Sequence, residues 1–151
     1  MEGILKREDM KLVLKDALNG EQNRNILSLT NQKIREYKGA ILDELNFDDE
    51  KRLMLLEKLE AYRYIDDIND FKIGSYIRWL GLKNAKTTSD IQFARGGFVS
   101  DIEIHGSDVH IKCKSFMGKH MQLLGAENII FQKISDQEQI ILSVLDYLHP
   151  H

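Results

Sequence analysis

Only one cysteine, Cys113, occurs in this chain of 151 residues, so no internal disulfide can form. A reduced, intracellular compartment is the expectation that follows. Long apolar runs are missing too. Val13-Leu14 and Ile140-Ile141-Leu142 are far too short to cross a bilayer as a helix, which excludes a membrane-spanning function. The first residues, Met1 to Asp9, lack the basic-then-apolar order of a secretory signal, in line with an intracellular location. There is no repeat, no low-complexity tract and no serine in a nucleophile elbow. Gly96-Gly97 lacks the lysine of a phosphate loop and precedes a strand, so no helix dipole meets a phosphate there. The glycines are read instead as permitting a bend or close packing.

What is present is the composition of a folded soluble domain: 42% hydrophobic and 30% charged residues, which separates it from a disordered chain. At this length roughly two thirds of the unfolded surface can be buried, so the core needs no covalent staple.

The spacing of apolar residues changes at Phe71. Before it they recur every three or four positions, and after it every second. Met10, Val13, Leu14, Ala17 and Leu18 form one helical stripe, which Asn19-Gly20 ends. Thr30 or Asn31 caps a second helix with the stripe Ile34, Tyr37, Ile41 and Leu45. Asp48 caps a third, through Leu53, Leu56, Leu59 and Tyr62, with Met54 and Leu55 widening its apolar face. Five strands are expected next: Phe71 to Leu80, Phe98 to Ile104, Val109 to Ser115, His120 to Leu124 and Asn128 to Gln132, with a long loop over 81–95. Ser135 and Glu138 form a capping box for a last helix, which Pro150 ends. The expected fold is therefore α+β. It has helices over 1–66, a five-stranded small β-barrel or curled antiparallel sheet over 70–134, and a closing helix over 135–148 packed on it, all as one compact unit.

The segment from Phe71-Lys72-Ile73-Gly74-Ser75-Tyr76-Ile77-Arg78-Trp79-Leu80 through Gly96-Gly97-Phe98-Val99 resembles the SH3-like and Sm-like small barrels in layout, over 71–132. The likeness rests on strand spacing, so it brings no family's binding residues with it. The stretches Asp70 to Leu80 and Ile130 to Leu148 are similar to uncharacterised proteins of large DNA viruses, which implies no activity.

The net charge of −3 is unevenly spread. Residues 71–135 carry nine lysines and arginines against five acids, while the flanks are acidic. Within the Phe98–Ser115 hairpin, a Gly106-Ser107 turn sets Ile104 against Val109, Glu103 against His110, Ile102 against Ile111, Asp101 against Lys112 and Val99 against Lys114. Asp101 and Glu103 thus neutralise most of the outward row His110, Lys112 and Lys114, and Lys114 is left over. The other basic candidates are Lys83, Lys86 and Arg95 in the long loop, beside Tyr76 and Arg78 on the outer face of the first strand. An aromatic next to an arginine on an exposed sheet face suits single-stranded nucleic acid, but it is also how many barrels cover a packed helix, and the chain's own helices need such a surface.

Glu103, His105, Asp108 and His110 offer metal-ligand chemistry at the hairpin end, but without the spacing of a metal motif, so neither a metal nor another cofactor is expected. Cys113 alternates inward and reads as an inert thiol. The expected function is a non-enzymatic binding or assembly module. It would meet a protein partner or a second copy through Tyr76, Arg78, Lys83, Lys86, Arg95 and Lys114. The alternative is a nucleic-acid-binding protein using the same basic surface.

Overall fold

The computed structural model describes residues 29–148. The stripe at 10–18 and the terminal histidines lie outside the described residues. Thr30 opens the first helix, its hydroxyl accepting a hydrogen bond from the Lys33 amide at 3.1 Å, and α1 runs Asn31–Glu44. Asp48 opens the next by accepting from the Lys51 amide at 2.8 Å, and α2 runs Asp49–Lys58 with two acids in its first turn. Both starts agree with the capping chemistry of the sequence. Most of both expected stripes is buried or packed on a core: Ile34, Leu55 and Leu59 are buried, and Ile41, Leu45, Met54, Leu56 and Tyr62 pack against the core. Tyr37 and Leu53 are the exceptions, both exposed, and Lys38 and Leu42 are buried outside the expected stripe.

The expectation of helix through residue 66 needs correction. Helix α2 stops at Lys58, and Tyr62–Ile65 forms a strand, β1. Tyr62, Arg63, Tyr64 and Ile65 alternate half-buried and buried, a period-two pattern rich in aromatic residues. Lys38, itself buried, satisfies the corner: its ammonium donates to Leu59 O at 2.8 Å, Tyr62 O at 2.9 Å and Glu60 O at 3.4 Å.

Six more strands follow: β2 (Tyr76–Gly81), β3 (Gln92–Phe93), β4 (Gly97–His105), β5 (Asp108–Lys114), β6 (His120–Leu124) and β7 (Asn128–Lys133). All pair antiparallel in the order β1-β7-β2-β4-β5-β6, with β3 added to β2. Seven strands replace the expected five, because short β1 and β3 escape a periodicity test that needs several alternations. The sheet is open, with β1 and β6 at its ends.

The hairpin register matches the turn-based pairing from Ile104↔Val109 to Asp101↔Lys112, around Gly106 at φ +65°. Beyond that a bulge between Val99 and Asp101 shifts the partners, so Val99 faces Cys113 and Phe98 faces Lys114. This corrects the expected Val99–Lys114 pair. It also turns Val99 inward and leaves Phe98 outward.

Two compact units result: residues 37–133, and a smaller one that among the described residues joins 29–36 to 134–148. In the larger unit, one face of the sheet gathers Ile77, Trp79, Val99, Ile111, Cys113, Leu123 and Ile130 into a core. The opposite face sets Leu80, Ile129 and Phe131 against Leu42, Phe47, Leu55 and Leu59 of the helical segment and Ile91 of the long loop. In the smaller unit, helix α3 (Asp136–Leu148) starts with the expected capping box, Ser135 N to Glu138 Oε1 at 3.0 Å and Glu138 N to Ser135 Oγ at 3.1 Å. Its Ile141, Leu142 and Leu145 pack with Ile34 and Ile134. Among the described residues, no helix is long and apolar enough to cross a membrane.

Candidate functional site

Strand β2 alternates, with Ile77 and Trp79 in the inner core and Tyr76 and Arg78 on the outer face. The return of the long loop decides what those two outer side chains can do. Ala94 N donates to Trp79 O at 2.9 Å, and Gly96 lies so close to β2 that a Cβ there would sit 2.2 Å from Ile77 O. The loop therefore runs against the strand. Tyr76 Oη donates to Arg95 O at 2.9 Å, and Arg78 Nε donates to Ala94 O at 2.9 Å. The Arg78 guanidinium also stands 3.7 Å above the Phe93 ring. Both side chains are half-buried, which corrects the expectation that they stand uncovered. Desolvation raises the Tyr62 hydroxyl pKa in the same neighbourhood, and the nearby Arg78 charge partly opposes it.

The exposed part of this face lies one strand further on. Tyr76 pairs with Phe98, Phe98 with Lys114, and Lys114 with His120, so four residues form one row across β2, β4, β5 and β6. Facing partners in an antiparallel ladder share a face, at strand spacings of about 4.8 Å. The Phe98 ring meets Tyr76 edge-on at 4.9 Å and keeps 44% of its surface exposed. Lys114 and His120 are exposed as well.

Next to this row is the β5–β6 turn. Ser115 N donates to Lys119 O at 2.8 Å, Lys119 N to Ser115 Oγ at 3.0 Å, and Gly118 N to Ser115 O at 2.9 Å. These bonds hold a tight tip from which Phe116 and Met117 project, 84% and 88% exposed. Sequence reasoning missed Phe98, His120, Phe116 and Met117 as a group. The available signal was two large apolar residues inside a turn, where alternation offers them no buried side.

The charges divide cleanly. Arg95, Lys114 and Lys119 make no ion pair among the described residues. The same holds for Lys83 and Lys86, but they follow Gly81 at the far end of β2, about 17 Å along the strand from Tyr76. Of the six binding residues read from the sequence, the fold therefore groups Tyr76, Arg95 and Lys114, engages Arg78 internally, and sets Lys83 and Lys86 apart. The loop that carries those two lysines is pinned. Asp90 Oδ2 accepts from the Lys86 and Thr87 amides, which lower its pKa, and Ile91 is buried in the core.

The rest of the outward strip is paired. Lys112 Nζ donates to Glu103 Oε1 at 2.8 Å, and His105 Nε2 lies 3.0 Å from Glu103 Oε2. The Lys112 hydrogen bond first, and His105 second, hold the Glu103 carboxyl at about 2 rather than 4.5. A carboxyl lowered on folding adds stability above its unfolded pKa and loses it as the pH falls through the folded one. Glu103→Gln should thus lower the melting temperature near neutral pH, with the deficit shrinking between 4.5 and about 2. A melting-temperature series across that range checks it, and a constant deficit would exclude the pairing. Surface screening keeps the effect small.

His110 Nδ1 is engaged by Gln122 Nε2, and the His105 and His110 rings meet edge to face at 4.7 Å. Among the described residues no three His, Cys, Asp or Glu side chains, Glu103, His105, Asp108 and His110 included, form a group that could hold a metal ion. Cys113 is buried, and burial raises its thiol pKa, which leaves it unreactive. A cavity of about 220 Å³ lined by Ile65, Phe71, Val109, Ile111, Leu124 and Ile130 is below the usual size for a small-molecule site. No family model matches the chain, and no curated protein or solved structure does either.

Proposed function

We propose that this protein is a non-enzymatic binding module whose partner is anionic and docks on the outer face of β2, β4, β5 and β6. The observation that carries this reading is the row Tyr76–Phe98–Lys114–His120, in which the exposed Phe98 ring stands between Tyr76 and the unpaired, exposed Lys114. Lys112, by contrast, is paired with Glu103, and Arg78 is engaged by Ala94 O and the Phe93 ring. The chain's net charge of −3 repels an anion at long range, so the attraction has to be local, at the unpaired cations of this face. The contact surface is displaced from the Lys83–Lys86 part of the loop towards Arg95, Lys114 and the hairpin tip. A small-barrel layout for residues 71–132 is part of the same proposal. It is supported by the meander β4–β5–β6, by the return of β7 beside β2, and by an inner core drawn from all five of these strands.

Heparin–agarose, a generic polyanion, tests the reading. The variant with Arg95→Ala and Lys114→Ala is expected to elute at clearly lower salt than the wild type, whereas Lys83→Ala with Lys86→Ala is expected to elute near it. Equal elution of the first variant and the wild type, or a larger loss from the second, would overturn the placement of the site.

A further inference from the structure

We infer that the anionic partner is single-stranded nucleic acid, with its bases stacked on Phe98 and on the Phe116 tip and its phosphates held by Arg95, Lys114 and Lys119. This inference rests on the binding surface proposed above and names its ligand.

Cations alone would suit any polyanion, so the argument turns on the rings. Phe98 is 44% exposed although its neighbour Tyr76 shields one edge, and Phe116 is 84% exposed on a tip fixed by three hydrogen bonds. Lys114 pairs directly with Phe98, and Lys119 closes the turn that displays Phe116. Each exposed ring therefore has an unpaired cation beside it. Exposed aromatic rings each flanked by a cation match a strand that offers a base face and a phosphate in every repeat. A duplex keeps its bases stacked on one another and would leave the rings idle, and an acidic peptide would use the cations but has no flat faces for the rings. Along the row the strands are about 4.8 Å apart, so the path from Tyr76 to His120 is about 14 Å, and the tip extends it. That reach suits a site of a few nucleotides.

Base-specific readout needs free amide or guanidinium forks beside the stacked base. Gln122 is engaged with His110, and Arg78 with Ala94 and Phe93, which leaves Arg95 as the free fork, and it is assigned here to a phosphate. Binding is therefore largely sequence-tolerant.

The test is fluorescence anisotropy with labelled oligothymidylate and oligouridylate of about 12 nucleotides, and with a duplex of the same length, at about 50 and 200 mM salt. Both single strands are expected to bind more tightly than the duplex and to weaken steeply with salt. Phe116→Ser should weaken single-strand binding about tenfold. Because that ring is so exposed, the substitution should leave the circular dichroism spectrum and the melting temperature unchanged. Phe98→Ser should act in the same direction, and Lys114→Ala should reduce the salt slope by about one. Retention on heparin together with duplex binding as tight as single-strand binding, or with full displacement of the oligonucleotide by an equally charged polyglutamate, overturns the ligand but leaves the surface standing. Loss of both heparin retention and oligonucleotide binding overturns the two together. A Phe116→Ser variant that binds like the wild type also overturns the stacking role.

Discussion

Gly96→Ala is expected to destabilise the protein by at least about 3 kcal/mol, through two independent penalties. Gly96 has φ +103°, a conformation that an alanine adopts only under strain. Its added Cβ would also lie 2.2 Å from Ile77 O, 2.7 Å from the Tyr76 ring and 3.0 Å from Arg78 Cγ. The carbonyl cannot withdraw easily, because Ile77 is paired on both sides, with Gln132 and with Gly97. Relief would come by lifting residues 94–96 off β2, which would release Tyr76 and Arg78 from Arg95 O and Ala94 O. Gly106→Ala is the control. Its φ is +65°, but nothing lies within 4 Å of the added carbon, so about 1–2 kcal/mol is expected. Urea denaturation of both variants measures the difference. Equal losses would mean that the loop does not run against the strand.

Lys38→Met is expected to cost about 2–4 kcal/mol, although it replaces a buried charge with an apolar side chain of similar length. Lys38 is only 4% exposed, and its ammonium holds carbonyls of Leu59, Glu60 and Tyr62, where the chain leaves α2 and enters β1. Methionine keeps the stem but leaves those oxygens without their donor, and the end of a helix is where such groups are hardest to satisfy internally. Amide exchange in β1 should quicken together with the fall in the urea midpoint. An unfolding free energy within about 0.5 kcal/mol of the wild type would mean that water replaces the ammonium without penalty.

The glycine pair was read as permitting close packing, but neither the strand it packs on nor the role of Lys38 showed in the sequence, and the reason is physical. A capping residue acts on an amide two or three positions away, so Thr30, Asp48 and the Ser135–Glu138 pair were legible from neighbours alone. The turn at Gly106-Ser107 likewise set four cross-strand pairs without reference to anything distant. The bulge before Asp101 depends on how β4 also meets β2, and a single residue there redirected Phe98. Lys38 was not singled out in the sequence because its acceptors lie 21 to 24 positions further along the chain. The site divided in the same way. Arg95, Lys114 and Tyr76 were visible as residue types, while their grouping, and the separation of Lys83 and Lys86, required the direction of β2 and the pairing across four strands.

By itself, the sequence determined the α+β class, the helix starts, the closing helix, the tight hairpin and a sheet segment richer in cations than its flanks. All of these follow from interactions between residues close along the chain. The tertiary structure alone decided that the sheet is open and seven-stranded, that Arg78 is engaged by its own loop, and that Phe98 stands beside Lys114. Those outcomes depend on pairing between distant segments, where one inserted residue exchanges the faces of a strand.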